Sequence, residues 1–513
     1  MERITAKSRY ASLDQFRTSS LHRAREAATL TIPSLFPPEG TTDSSKLPTP
    51  YQSIGARGVN NLSSKFLLTL LPPNEPFFKL LIDDYTLEEL SQEEGVKAEV
   101  ESALGKIERS VMAEFERVAA RPVLSEALKQ LVIAGNILLF MHDGVFKAFR
   151  LDKYVVKRDP AGNVLEAIVK EVVAPSVLPE VHQDLIKKAS ESDQKTVDLY
   201  THIKRVDGKW KIYQEVEDEI VEGTEGSYPL GANPWIALRL NRVDGEDYGR
   251  GYVEEYIGDL RSAEGLQRAI VEGAAAAAKL LVLVDPNGVT DKKVITTAPN
   301  GAVRSGREGD ITFMQTNKAG DFRVALESLN DIIQRLSLAF LMNSSIQRNG
   351  ERVTAEEIRY MAGELEDALG GTYSILSQEL QQPLVATVMH DLTKRKRIPA
   401  LPKGVVTPSI TTGIDALGRG HDLNKLDAFL AGAQQVLGPE IVKEYVDVHD
   451  YLTRRATALG INAEGLVKTA DQLAQERDAE LERQQGAGLN EQMVSTGGKI
   501  AEEAAKGAMN GST

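Results

Sequence analysis

The stretch from Glu246 to Lys394 constrains this chain most, because its hydrophobic period changes from helix to strand and back within a few dozen residues. Val253, Ile257, Leu260, Ala263, Leu266, Ile270 and Ala274 recur three or four apart, which is the apolar stripe of one α-helix. The stripe runs into Ala274-Ala275-Ala276-Ala277-Ala278, the strongest helix former repeated. Leu280 to Val284 then reads as a short strand, stopped by the turn Asp285-Pro286-Asn287-Gly288. Val294 to Thr297 and Ile311 to Thr316 are further short strands, with Pro299-Asn300-Gly301 as a second turn. The helical period resumes at Leu329, Ile332, Ile333, Leu336 and Phe340.

A polar segment follows, Asn343 to Arg352, with Gly350 inside it. Thr354 and Glu357 have the spacing of a capping box, so a new helix is expected there. Ile358, Met361, Leu365, Leu369, Leu376, Leu380, Leu384 and Val388 continue one face to Lys394, with Thr372 its polar member. Such a helix spans ~60 Å at 1.5 Å per residue, but Gly370-Gly371 and Pro383 should bend or interrupt it. Two helices clamping a β insert, joined to a long helix by a polar loop, make a spacer rather than a pocket.

The rest of the chain is long enough, at 513 residues, for several cores. Ser8 to Thr29 reads as a helix whose arginines form a solvated face, and Ile32 to Pro50 as a loop or arm. Tyr51 to Leu71, Leu87 to Arg117 and Pro122 to Ala134 read as helices. Three hairpins follow: one about His142-Asp143-Gly144, one about Asp159 to Asn163, and one about Asp207-Gly208. Pro179 to Ser192 is a polar helical insert, and Trp235 to Leu240 a last strand. Met1 to Asn241 is therefore α+β, and the whole chain mixed α+β, mainly helical. Val405 to Thr411 is expected to return to the antiparallel sheet. Asp422 to Arg455, broken at Gly438-Pro439, and Ala463 to Gln484 are helical, before a flexible tail.

Composition excludes several functions. A net charge of −14 argues against a sequence-reading DNA binder, which is usually basic. The chain has no cysteine, so disulfides and thiolate chemistry are out. There is no signal-peptide core and no apolar run long enough for a membrane span, so a soluble protein made in the cytoplasm is expected. Neither a phosphate-binding loop nor a Gly-x-Ser-x-Gly elbow occurs. The one enzyme-like signal is His followed by Asp, at His142-Asp143, His390-Asp391, His421-Asp422 and His449-Asp450. A metal-dependent phosphohydrolase uses such pairs as ligands, yet the first sits in a turn that backbone geometry explains and the others on polar helix surfaces. Lys394-Arg395-Lys396-Arg397 is a basic run at a helix end, which favours the dipole there and stays solvated, with contact to nucleic acid as the alternative. Arg348 and Arg352 share the polar loop between long helices, so a ring of such loops places cations near a phosphate backbone.

Two segments carry a resemblance. Tyr51-Gln52-Ser53-Ile54-Gly55-Ala56-Arg57-Gly58-Val59-Asn60-Asn61-Leu62-Ser63-Ser64-Lys65, with Leu70-Leu71-Pro72-Pro73 before Pro76-Phe77-Phe78, resembles portal proteins. These are the head-to-tail connectors of bacteriophages with short, non-contractile tails. Gly245-Glu246-Asp247-Tyr248-Gly249-Arg250-Gly251 is similar to the segment that leads into the first stem helix of that family. The resemblance covers most of the chain, in order, and stops at Gln484.

It implies a non-enzymatic ring, usually of twelve subunits, at one capsid vertex of the virion, with no cofactor and no membrane. Residues 1–245 and 354–420 become the wing, 246–279 and 323–343 the stem helices, and 280–322 the clip. Residues 344–353 become the tunnel loop, and 421–484 the crown. The implied partners are double-stranded DNA passing without sequence specificity, a separate terminase, the major capsid protein, a tail adaptor and internal core proteins. Channel candidates are Gln347, Arg348, Asn349 and Arg352. Clip docking candidates are Lys292, Lys293, Arg304 and Arg307. The rival readings are a His-Asp phosphohydrolase and a scaffold or adaptor that never touches DNA.

Overall fold

A computed structural model describes residues 4–42, 44–73, 76–81, 96–178, 196–277, 281–291, 293, 297–314, 319–342, 355–369, 371–398, 409–412, 419–438, 441–442, 445–446, 448–458, 466–468 and 472. The chain divides into two compact units, Met1–Thr86 with Lys106–Leu417, and Leu87–Gly105 with Gly418–Thr513.

The first unit opens with α1 (Ala6–Thr29), whose N-cap Thr5 accepts a hydrogen bond from the Ser8 amide. Its apolar face, Ala6, Tyr10 and Leu13, packs on Val155, Ile168 and Tyr200. The arginines are not the solvated face that charge alone suggests. Arg17 is only 4% exposed and donates to the carbonyls of Leu151 (2.7 Å) and Tyr154 (2.5 Å). Arg9 reaches Glu166 at 2.8 Å. Burial alone would push the Glu166 carboxyl up, but hydrogen bonds from His202 and Arg9 outweigh it and hold it at about 2.

Next come α2 (Ile54–Leu70), β1 (Phe78–Leu81), α3 (Val96–Arg117) and α4 (Ala120–Ala134), with Pro122 in the first turn of the last. Strands β2 (Asn136–His142), β3 (Val145–Phe149), β4 (Tyr154–Arg158), β5 (Val164–Val173), β6 (Val197–Val206), β7 (Lys209–Val216), β8 (Glu219–Ile220), β9 (Gly226–Pro229) and β10 (Trp235–Arg239) follow. The β2–β3 and β6–β7 turns put Asp143-Gly144 and Asp207-Gly208 at positive φ, which is why Asp-Gly stands there.

One antiparallel sheet was the expectation, and two form. Strands β4 to β8 make the larger one, with β9 on β7. The smaller has the order β10-β2-β3, because β10 pairs with β2 in the register Trp235↔Phe140, where the two rings lie 4.4 Å apart. The predicted insert Pro179 to Ser192 lies outside the described residues.

The segment Gly245 to Gly251 is a close-fitting strap rather than helix. A Cβ at Gly251 would collide with the Ile133 carbonyl, and one at Gly135 with the Arg250 main chain. Asn136 locks the strap by bonding both the amide and the carbonyl of Gly249 at 2.8 Å. The helix therefore begins at residue 252, not 246, as α5 (Tyr252–Glu255), and continues after a break at Tyr256 as α6 (Ile257–Ala277).

Beyond it, β11 (Leu281–Val284) and β12 (Ile311–Met314) pair antiparallel as a two-stranded ribbon. Of the predicted strand Val294 to Thr297, residues 294–296 lie outside the described residues. Asp310, buried beside the ribbon, accepts from the amides of Val289 (2.9 Å) and Thr290 (3.1 Å) and from the Thr290 hydroxyl (2.9 Å). The returning helix α7 (Ala319–Ala339) buries Leu329, Ile332 and Leu336, with Phe340 just past its end, as the period predicts.

The long helix is interrupted where glycine and proline predict. After α8 (Ala355–Leu369), Gly371 takes φ +88°, and α9 (Thr372–Leu376) begins. A π-turn at Ser377–Gln381 then precedes α10 (Gln382–Lys394), absorbing Pro383, which has no amide hydrogen to donate. The returning strand is β13 (Ser409–Thr412). It does not rejoin the antiparallel sheet but pairs with β1, Phe78 opposite Thr412. Phe77 and Phe78 are buried, Phe77 packs on Phe115, and the Leu80 amide donates to buried Glu108, so this site holds a strand of its own.

The second unit contains α11 (Arg419–Leu437) and α12 (Val448–Ala458), separated at Gly438, whose φ is +83°. Asp427 accepts from the Tyr451 hydroxyl (2.7 Å) and Arg455 (3.0 Å). Apart from 466–468 and 472, the predicted helix Ala463 to Gln484 and the tail lie outside the described residues.

Candidate channel site and the helix that frames it

Gln347, Arg348, Asn349 and Arg352 lie outside the described residues, so the site is described through its frame. The frame is the end of α7, the start of α8, and the helix α2 that holds both.

Helix α2 presents a ladder of contacts spaced three or four residues apart, one face of an α-helix. Just before it, the amides of Tyr51 and Gln52 donate to the Glu264 carboxylate on α6, at 2.9 and 3.1 Å. Gly55 faces the Leu30 carbonyl and the Leu260 side chain. Gly58 lies flat against the Phe340 ring, with the position of a Cβ only 2.5 Å from Cγ. Asn61 donates its side-chain amide to the carbonyls of Phe340 (2.9 Å) and Leu341 (3.0 Å). Lys65, buried, bonds Glu364 on α8 at 2.8 Å. At the far end the Thr69 carbonyl accepts from Tyr373, and the Leu70 carbonyl from Gln381 of the π-turn.

Phe340 is fully buried. Tyr252 and Tyr256 also pack on the Phe340 ring, with ring centroids 5.7 and 5.8 Å away. The Tyr252 hydroxyl donates to the Ala339 carbonyl at 2.8 Å. Asn61, Tyr252 and Phe340 had no assigned role in the sequence. The available signal was Gly55, Gly58 and Asn61 on one helical face, small residues where another chain segment must come close.

Of the clip candidates, Lys293, Arg304 and Arg307 lie on the exposed surface beside the ribbon, and Lys292 lies outside the described residues. Residues 302–307 run without helix or strand assignment, tied by the Arg307 amide to the Thr290 hydroxyl at 3.0 Å.

Lys394, Lys396 and Arg397 of the basic run are exposed, as the sequence suggests, whereas Arg395 is partly buried among carboxylates. Arg395 meets Asp143 at 2.8 Å and also lies near Asp391 and Glu114, and Arg397 lies 3.8 Å from Glu114. Two of the four His-Asp pairs do converge, but across each other. His142 Nδ1 lies 3.2 Å from Asp391, and its Nε2 lies 3.2 Å from the Tyr228 hydroxyl. Burial raises the Asp391 carboxyl, and the His142 contact and neighbouring Arg395 more than reverse this, leaving it below its ordinary value. His449 Nδ1 bonds the Lys468 carbonyl instead. The side chains of His421 and Asp422 lie outside the described residues. Among the described residues no group of three or more His, Asp or Glu side chains is placed to hold a metal ion.

The family model described as bacteriophage head to tail connecting protein matches residues 3–467. The portal protein of Escherichia phage T7 is 44% identical over 484 residues, covering 92% of this chain and 89% of that protein. The portal protein of Enterobacteria phage T3 is 43% identical over 476 residues, covering 91% and 89%. Among solved structures, a chain from the neck of an empty GTA particle aligns over 80% of this chain and 90% of its own, at a TM-score of 0.38 and 12% identity. With matches of this length at this identity, the chain belongs to the bacteriophage head to tail connecting protein family.

Proposed function

We propose that this chain is a portal subunit: many copies, twelve in our reading, form a ring at one capsid vertex and join head to tail. Viral DNA passes along the axis without sequence readout, driven in by a separate terminase and later ejected. The subunit itself catalyses nothing. In this assignment α5–α6 and α7 are the stem, the β11–β12 ribbon with its loops is the clip, residues 344–353 border the channel, and residues 421–484 are the crown. The clip receives the terminase and then a tail adaptor, while the wing meets the major capsid protein and internal core proteins.

The observation that carries the reading is the stem hairpin. After Ala263 no residue of α6 is buried, and Val271, Val324, Leu326 and Leu338 stand exposed on the two helices. Exposed apolar faces on a projecting hairpin are stable when neighbouring copies cover them. The acidic charge fits the task. Each phosphate neutralised adds to a sequence-independent hold on DNA, so a conduit keeps its cations few.

Negative-stain electron microscopy of the purified protein tests the ring, and a protein that stays a lone subunit under every assembly condition ends the proposal. Arg348→Glu with Arg352→Glu tests the channel. Intact rings with reduced packaging and ejection support it, whereas unchanged packaging favours an adaptor that never touches DNA.

A further inference from the structure

The C-terminal end of α7 is closed in an unusual way. The Leu341 and Met342 amides fold back to the carbonyls of Leu338 (3.0 Å) and Ser337 (2.8 Å), a Schellman turn. The residue at its left-handed position is Leu341, with φ +53°, where glycine is usual and a branched side chain is strained. The next carbonyls are capped from outside the helix. Tyr252 takes that of Ala339, and Asn61 takes those of Phe340 and Leu341. Every backbone acceptor from Leu336 to Leu341 thus has a partner, and the last three depend on two side chains of other helices.

One turn further along α2, Lys65 holds Glu364 of α8. The two segments that flank residues 343–354 are therefore fastened to one rigid helix at positions 61 and 65, a single turn apart.

We propose that Asn61 is a positioning residue for DNA passage, and that Tyr252 assists it. By capping the strained end of α7, the pair sets the direction in which the chain leaves the stem toward the channel. Load applied there passes into α2 instead of being absorbed by rotation about Leu341. This rests on the channel reading above.

The test complements a phage lacking its own portal gene with Asn61→Asp. The substitution keeps side-chain size but turns two N–H bonds into carboxylate facing carbonyl. Glu166→Gln, remote from the stem, serves as a control for loss of stability. Rings are checked by negative stain and melting, amide exchange is followed over 336–342, and DNA-filled heads are counted. Expected are intact rings, faster exchange over 336–342 in Asn61→Asp alone, and filled heads at least tenfold below the control. Asn61→Gln, which restores an amide, should recover part of the loss. Filled heads equal to the control's overturn the proposal, and so does unchanged exchange. If Asn61→Asp rings do not form, Tyr252→Phe, which loses one hydroxyl and no volume, goes through the same assay. A threefold fall in filled heads then supports the proposal, and none overturns it. Normal filling by Arg348→Glu with Arg352→Glu would strike the channel reading instead, while the exchange data still judge the cap.

Discussion

Gly58→Ala should destabilise the subunit even though it improves a helix. The new Cβ would lie 2.5 Å from Phe340 Cγ and 2.8 and 2.9 Å from the two Cδ atoms. Carbon atoms prefer about 3.5–4.0 Å, so the ring or the α2 backbone must move by about 1 Å. There is little room to move, because Phe340 is fully buried and in contact with the Tyr252 and Tyr256 rings. Overpacking of this kind costs about 1–3 kcal/mol. Replacing a mid-helix glycine returns about 1 kcal/mol. With so little room the clash wins, and the net loss is up to about 2 kcal/mol, read as a lower urea midpoint at fixed subunit concentration. In a Phe340→Leu background the ring is gone, so Gly58→Ala should be neutral or stabilising by up to about 1 kcal/mol. The coupling between the sites is then about 2 kcal/mol, large for a single pair. An equal cost in both backgrounds would refute the argument, since the glycine would then be needed for something other than the ring.

Other consequences are as open to measurement. The Glu166 carboxyl is held at about 2, below its ordinary value, so the unfolded chain takes up the proton first as pH falls. Its contribution is whole above about pH 5, is lost toward pH 2, and amounts to roughly 2 kcal/mol. Urea midpoints at pH 7 and pH 3 should differ less in Glu166→Gln than in the parent, and an equal drop in both would count against the Arg9–Glu166–His202 clasp. Gly251→Ala directs a Cβ into the Ile133 carbonyl, and main chain cannot step aside, so loss of most soluble protein is expected on expression. Arg395→Ala should cost about 1 kcal/mol, a partly screened ion pair, and leave DNA retention in filter binding unchanged. A clear fall in retention would return the basic run to the list of DNA contacts.

Local order was legible where the cause was local. The stripe on α6, the turn at Asp285-Pro286, the breaks at Gly371 and Pro383 and the Asp-Gly hairpins each follow from a few adjacent residues. Pairing between distant segments was not. Nothing in Phe78 to Leu81 announces that its partner is Ser409 to Thr412, since four residues of strand carry no address. Arg17 was misread for a different reason. It follows Tyr10 and Leu13 and precedes Leu21 and Ala24 at helical spacing, so it lies within the apolar stripe. Composition counted it as surface charge, but its position marked a buried cation stapling carbonyls. The strap at Gly245 to Gly251 looked like the start of a helix because helix and strap are contiguous. Only the structure shows why three of its residues are glycine: Gly251 lies against the Ile133 carbonyl, Gly249 against Arg239 and the Gly135 carbonyl, and Gly245 takes φ +75°.

The same reasoning explains why Tyr51 to Lys65 carries a family resemblance at all. A helix that only filled a core would tolerate many apolar sequences of the right volume. Helix α2 instead touches a different partner at each turn: α6 through the amides at 51 and 52, the Phe340 ring at 58, the end of α7 at 61, and α8 at 65. A glycine, an amide and an ammonium are three unlike requirements, and none can be exchanged for another. Helix α2 also joins segments on both sides of residues 343–354, so a change there disturbs both flanks at once. The segment's odd composition therefore follows from its position as the common anchor of α6, α7 and α8.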